Sequence, residues 1–215
     1  ALLLPLVGVD MKSSLQTLVE NWMGTEQAAY MLFDYPDEME ELLAVMRQKS
    51  MRTVEYTAQS GAAAALFWED SSTTNVSPAL YEQYIEPELT AWGRMFQQSG
   101  KLLIHHACGL IHDLLPLMGR QGIAAVESLT PPPMGNVTVK EAFDLLPPEV
   151  AVIGGVDAVT LLSAPLEELE QTAREVLKTG EGRRFVLANA DSCPPDVAYE
   201  RFLLLARLVR QGAAS

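Results

Sequence analysis

The sequence predicts an α/β protein, a (β/α)8 TIM barrel of which six strand–helix units lie within one domain over residues 1–215. Three observations predict it. Short apolar runs alternate with longer amphipathic stretches, no G-x-G-x-x-G turn follows an early run, and five runs end on ionisable or metal-binding residues. Alternating β and α elements imply a parallel sheet with helical crossovers. A doubly wound sheet is expected to show the glycine-rich turn, whereas a barrel gathers chemistry at the C-terminal ends of several strands.

The apolar runs are Leu2–Val9, Ala62–Trp68, Lys101–His106, Gly122–Val126, Val150–Gly154 and Phe185–Ala188. Each has strand length and is apolar at successive positions, as a strand buried on both faces requires. The first long helix is expected over Pro36–Ala58, opening on Pro-Asp-Glu, which suits a first turn. Ser77-Pro78 supplies an N-cap and a proline at N1 for the next, which buries Tyr81, Tyr84, Ile85, Leu89, Trp92 and Phe96. A short helix follows over Ile111–Met118, then Thr138–Leu146 with a threonine cap. Pro165–Lys178 carries Glu167, Glu168 and Glu170 early and Lys178 late, in the order that complements a helix dipole. The last helix is expected over Pro195–Arg210. Six strands do not close an eight-stranded barrel, so two N-terminal units are expected to be missing from this sequence or supplied by another chain.

Composition narrows the function classes. A formal charge of −13 disfavours nucleic acid and anionic membrane surfaces, which demand a positive footprint. A small substrate or a protein with a basic face is easier to accommodate. Two cysteines in 215 residues argue against a disulfide framework and for a reducing, cytoplasmic setting. No uncharged run reaches the roughly 18 residues of a transmembrane helix, and the opening apolar stretch has no basic flank.

The polar strand ends are Trp68-Glu69-Asp70, His106-Ala107-Cys108, Glu127-Ser128, Gly155-Val156-Asp157 and Ala190-Asp191-Ser192-Cys193. On extended backbone His106 and Cys108 point to one side of the chain, and Cys193 ends the last run, across the barrel mouth. One imidazole and two thiolates suit tetrahedral Zn²⁺, and three protein ligands leave a fourth position for substrate. The alternatives are buried cysteines acting as small hydrophobes, a histidine satisfied within the core, or a Cys108–Cys193 disulfide. His105 alternates to the opposite face, and His112 falls at a helix N-terminus. Glu127 is a candidate exchangeable fourth ligand, or else a partner for backbone or arginine. Asp157 and Asp191 are candidates to orient His106 or hold substrate, or else helix N-caps. Glu69 and Asp70 are polar mouth residues without an assigned role. Pro131-Pro132-Pro133 forms a stiff loop that could wall the pocket.

With these residues in hand, the chain resembles the uroporphyrinogen decarboxylase superfamily, and within it the zinc- and corrinoid-linked methyltransferases. The resemblance runs through Met23-Gly24-Thr25-Glu26, Ser77-Pro78-Ala79-Leu80-Tyr81, His106-Ala107-Cys108-Gly109, Glu127-Ser128-Leu129-Thr130-Pro131-Pro132 and Gly154-Gly155-Val156-Asp157. It implies zinc on His106, Cys108 and Cys193, a thiol or similar acceptor, and a methylcobamide carried by a corrinoid protein partner. The decarboxylases of the superfamily need no metal. Their pattern resembles Gly-Asn-Leu-Asp-Pro where this chain has Gly154-Gly155-Val156-Asp157-Ala158, and Gly-His-Gly-Ile where it has Ala190-Asp191-Ser192-Cys193. Metal-free decarboxylation of a tetrapyrrole acid, and a non-catalytic barrel acting as a binding module, are the competing expectations.

Overall fold

The computed structural model describes residues 5–212. Six parallel strands form one sheet in sequential order, β1 to β6, with helices in every crossover. The strands are β1 Leu6–Val9, β2 Ala64–Trp68, β3 Leu102–His106, β4 Ala125–Leu129, β5 Ala151–Val156 and β6 Phe185–Asn189. Sequential neighbours joined by helices are the barrel arrangement, here an open arc whose outer strands are β1 and β6. The part of the first predicted strand over residues 2–4 lies outside the described residues.

Between β1 and β2 lie α1 Ser14–Thr17, a π-helical stretch Leu18–Met23, α2 Thr25–Asp34 and α3 Pro36–Gln59. Pro36 stands at the start of α3 with Asp37 and Glu38 in its first turn. After β2, the Ser77 side chain accepts from Leu80 N–H and opens α4 Pro78–Leu80, which passes through a π-helical turn at Tyr81–Ile85 into α5 Glu86–Gln98. A 3-10 turn at His112–Leu114 leads to α6 Leu115–Met118, so His112 does begin a helical segment. Thr138 and Glu141 form a reciprocal capping box at α7 Val139–Leu145. The last helices are α8 Ala158–Ser163, α9 Leu166–Thr179 and α10 Tyr199–Gly212.

Three boundaries differ from the sequence expectation, each for a physical reason. β4 starts three residues after Gly122, because Gly122 takes a left-handed turn (φ 72°) against the Gln97 side chain. β5 runs on through Gly154 and Gly155, whose positive φ values of 143° and 99° let the strand pass close to Leu129 and Val176. α10 begins at Tyr199 rather than Pro195, since the Cys193–Val197 segment turns first.

The core is continuous from α1 to β5, with Trp92, Phe67 and Phe96 at its centre. Phe67 on β2 lies 5.1 Å from the Trp92 ring and edge-on to Phe96 at 5.8 Å. Each such burial is worth roughly 1.5–3 kcal/mol, which fastens α5 to the sheet. A second apolar cluster joins Val156, Leu161, Leu169, Leu205 and Leu208 beneath α8, α9 and α10. Among the described residues no helix is long and apolar enough to cross a membrane.

Candidate metal centre

Strand register brings the chemistry together. Trp68, His106 and Glu127 are in line across β2, β3 and β4 at the C-terminal end of the sheet. Their neighbours inherit that position: Asp70 follows β2 by two residues and Cys108 follows β3 by two. Asp70 adopts a left-handed backbone (φ 55°) and its N–H donates to His106 O at 3.3 Å, which folds its side chain back over β3. Aspartate tolerates that conformation better than most residues.

His106 is held between two carboxylates. Its Nδ1 lies 2.5 Å from Glu127 Oε2 and its Nε2 lies 3.0 Å from Asp70 Oδ1. The Cys108 thiol donates to the same Asp70 oxygen at 3.8 Å. One ligating atom from each of Asp70, His106 and Cys108 falls within 4.8 Å of the other two. Oxygen, nitrogen and sulfur donors of this kind fit Zn²⁺, and a carboxylate on the far ring nitrogen is the usual companion of a metal-bound histidine. The residues present therefore fit a zinc ion.

Electrostatics follow from the same contacts. Burial disfavours a charged His106, yet hydrogen bonds with Asp70, Cys108 and Glu127 raise its pKa to about 11. Burial also opposes a charged Asp70, but His106 and Lys12 hold its carboxyl far below the usual range. Lys12 comes from the β1–α1 segment, and its Nζ reaches Asp70 Oδ2 at 2.7 Å, Trp68 O at 2.8 Å and Glu20 Oε2 at 2.8 Å.

Two buried carboxylates position that segment. Glu69 accepts from Ser13 N–H at 2.5 Å, from Ser13 Oγ at 2.6 Å and from Ser71 Oγ at 2.8 Å. Glu88 on α5 accepts from Ser14 N–H at 2.8 Å, Ser14 Oγ at 3.1 Å and Ser50 Oγ at 2.6 Å. Burial pushes Glu69 up to about 7, against the lowering effect of its three donors, and moves Glu88 upward as well. The Ser13-Ser14 step is thus pinned directly beside Lys12.

The other residues singled out from sequence fall elsewhere. Cys193 lies on the β6–α10 segment with an exposed thiol, 3.5 Å from Pro194 O, and does not join the 4.8 Å cluster. The segment starts on Asp191, in a left-handed turn (φ 59°), whose N–H donates to Ser128 Oγ; two prolines follow the cysteine. Those constraints leave the sulfur facing solvent. Both cysteines are unbridged. The Asp157 carboxylate accepts from Val159 and Thr160 N–H at 3.0 and 2.9 Å, the N-cap of α8, and makes no contact with His106. The Asp191 carboxylate takes Ser192 N–H at 2.6 Å. Neither aspartate orients His106; Glu127 and Asp70 do, because only β2 and β4 flank β3.

His105 points into the core, 3.0 Å from Gln121 Oε1, and burial lowers its pKa to about 4. Lys12 and the parts played by Ser128 and Asp70 escaped sequence reasoning. Lys12 had one signal, a basic residue just past an apolar run. Ser128 stands in the sequence as a polar strand end, but composition does not reveal its left-handed backbone (φ 72°) or the register shift it accompanies in β4.

Comparison with known proteins agrees with the architecture. A protein-family model described as "Uroporphyrinogen decarboxylase (URO-D)" matches residues 14–212. Among solved structures, a methyltransferase from Methanosarcina mazei superposes with a TM-score of 0.77 at 18% identity, over 97% of this chain and 58% of that one. The present chain thus spans little more than half the length of that methyltransferase. No curated protein sequence matches.

Proposed function

Because this chain belongs to the uroporphyrinogen decarboxylase family, we propose that it works as that fold's zinc-dependent methyltransferase, passing a methyl group from a corrinoid on a partner protein to a thiol. The observation that carries this reading is the convergence of Asp70, His106 and Cys108 within 4.8 Å at the strand ends. Likeness to a methyltransferase over nearly all of the chain supports it.

Asp70 Oδ1, His106 Nε2 and Cys108 Sγ would hold the ion, with Cys193 as a further donor if its segment folds inward. Bound zinc would lower the pKa of an acceptor thiol and so supply a thiolate near neutral pH. The chain's own residues prepare for this. Glu127 fixes the His106 ring and enriches its donor nitrogen. His106 has to surrender its Nε2 proton before it can ligate. In the overall transfer a sulfur–carbon bond forms, the thiol proton goes to solvent, and the cobalt–carbon bond breaks with its electron pair left on cobalt.

The test combines elemental analysis with turnover. Folded protein supplied with zinc is expected to hold one equivalent and to demethylate methylcobalamin in the presence of a suitable thiol. Folded protein that retains no zinc overturns the reading. Metal-free decarboxylation, favoured by the family match itself, predicts consumption of a porphyrinogen substrate in the presence of a chelator.

A further inference from the structure

The two carboxylate oxygens of Asp70 are committed to different neighbours. Oδ1 faces His106 and Cys108, at 3.0 and 3.8 Å. Oδ2 is taken by the Lys12 ammonium at 2.7 Å. Lys12 cannot easily wander, because its side chain is only 10% exposed, it also binds Trp68 O and Glu20, and the next two residues are clamped by Glu69 and Glu88.

The donors of the cluster therefore have opposite backing. Behind His106 stands an anion, Glu127, which strengthens a histidine as a metal ligand. Behind Asp70 stands a cation, which withdraws charge from the carboxylate and repels a dication placed on its other side. Lys12 also gives Asp70 somewhere to go. A carboxylate leaving the ion would remain paired, avoiding the cost of an isolated charge in a half-buried site.

We propose that Lys12 is a positioning residue that keeps Asp70 a one-oxygen, readily displaced ligand, so that an incoming acceptor thiol takes the place of Asp70 rather than of His106 or Cys108. This rests on the zinc reading above. A thiol can enter the coordination sphere without stripping the ion, because the ligand it replaces is the one whose hold Lys12 has already weakened.

The experiment uses the full chain loaded with Zn²⁺ or Co²⁺. Zinc affinity is measured by competition with a chromogenic chelator, and thiol entry by titrating 2-mercaptoethanol against the visible bands of the cobalt form. K12M is expected to bind zinc about tenfold more tightly and to need about tenfold more thiol for half-conversion. K12R is expected to match the unaltered chain. In a D70N background K12M should lose most of its effect, which a general structural role for Lys12 would not produce. If K12M folds poorly, K12Q removes the same charge. Unchanged or weaker zinc binding in a folded K12M or K12Q, or an effect undiminished by D70N, overturns the proposal while leaving the zinc reading intact. Failure of the unaltered chain to bind either metal overturns both.

Discussion

Glu127 and His106 stand opposite each other in register on adjacent strands, with Glu127 Oε2 2.5 Å from His106 Nδ1. That pairing decides which ring nitrogen is left for the mouth of the barrel. Glu127, expected from sequence as a candidate exchangeable ligand, here spends that carboxylate oxygen on the imidazole ring. Glu127→Gln keeps the shape but removes the charge, and is expected to weaken zinc binding about 10–100-fold with little loss of stability. Chelator competition against a thermal melt of the same sample separates the two effects.

Cys108 and Cys193 are expected to react differently with iodoacetamide. With no metal added, Cys193 should alkylate first, since its thiol is exposed while Cys108 is partly buried beside Asp70. Added zinc should protect Cys108. Protection of Cys193 in the same experiment, read by peptide mass spectrometry, would show that the β6–α10 segment closes on the ion. Rapid labelling of both in the zinc-loaded protein would contradict the ligand assignment.

Asp157→Ala should cost about 1 kcal/mol of stability through loss of the α8 cap and leave zinc affinity unaltered. A large drop in zinc binding or methyl transfer, at unchanged fold, would return Asp157 to the site.

Glu69 provides a pH dependence with a definite sign. Its pKa of about 7 in the folded chain lies above the value of about 4.5 expected for an exposed glutamate. The folded state therefore binds more protons than the unfolded one between those values, and its stability falls as pH rises from 4.5 to 7, by roughly 3 kcal/mol from this group. Above pH 7 the contribution is level. Denaturant melts of Glu69→Gln should show that slope removed; an unchanged slope would place the titration elsewhere.

Gly93 on α5 illustrates how tightly the helical layer meets the loops. A Cβ there would lie 1.9 Å from Gln121 O, a backbone atom that cannot swing away. Gly93→Ala is expected to destabilise by about 1–3 kcal/mol or more through overpacking. The measured loss should exceed that for Gly61→Ala, where nothing lies within 4 Å.

The alternation of apolar runs and amphipathic stretches determined the order of strands and helices, because burial on both faces and a 3.6-residue stripe each leave a mark on composition. The same reasoning expected His106 and Cys108 on one side of the chain at the end of β3, since side chains alternate along any extended segment. What belongs to tertiary structure is which strand ends meet. Register between separate strands set Glu127 against His106, a left-handed backbone turned Asp70 onto the same ring, and the clamp on Ser13-Ser14 delivered Lys12 from the β1–α1 segment. The Ser128–Asp191 contact likewise left Cys193 facing solvent. Periodicity reports on neighbours within a segment, whereas these relationships join residues tens of positions apart, and only the packed sheet brings them within bonding distance.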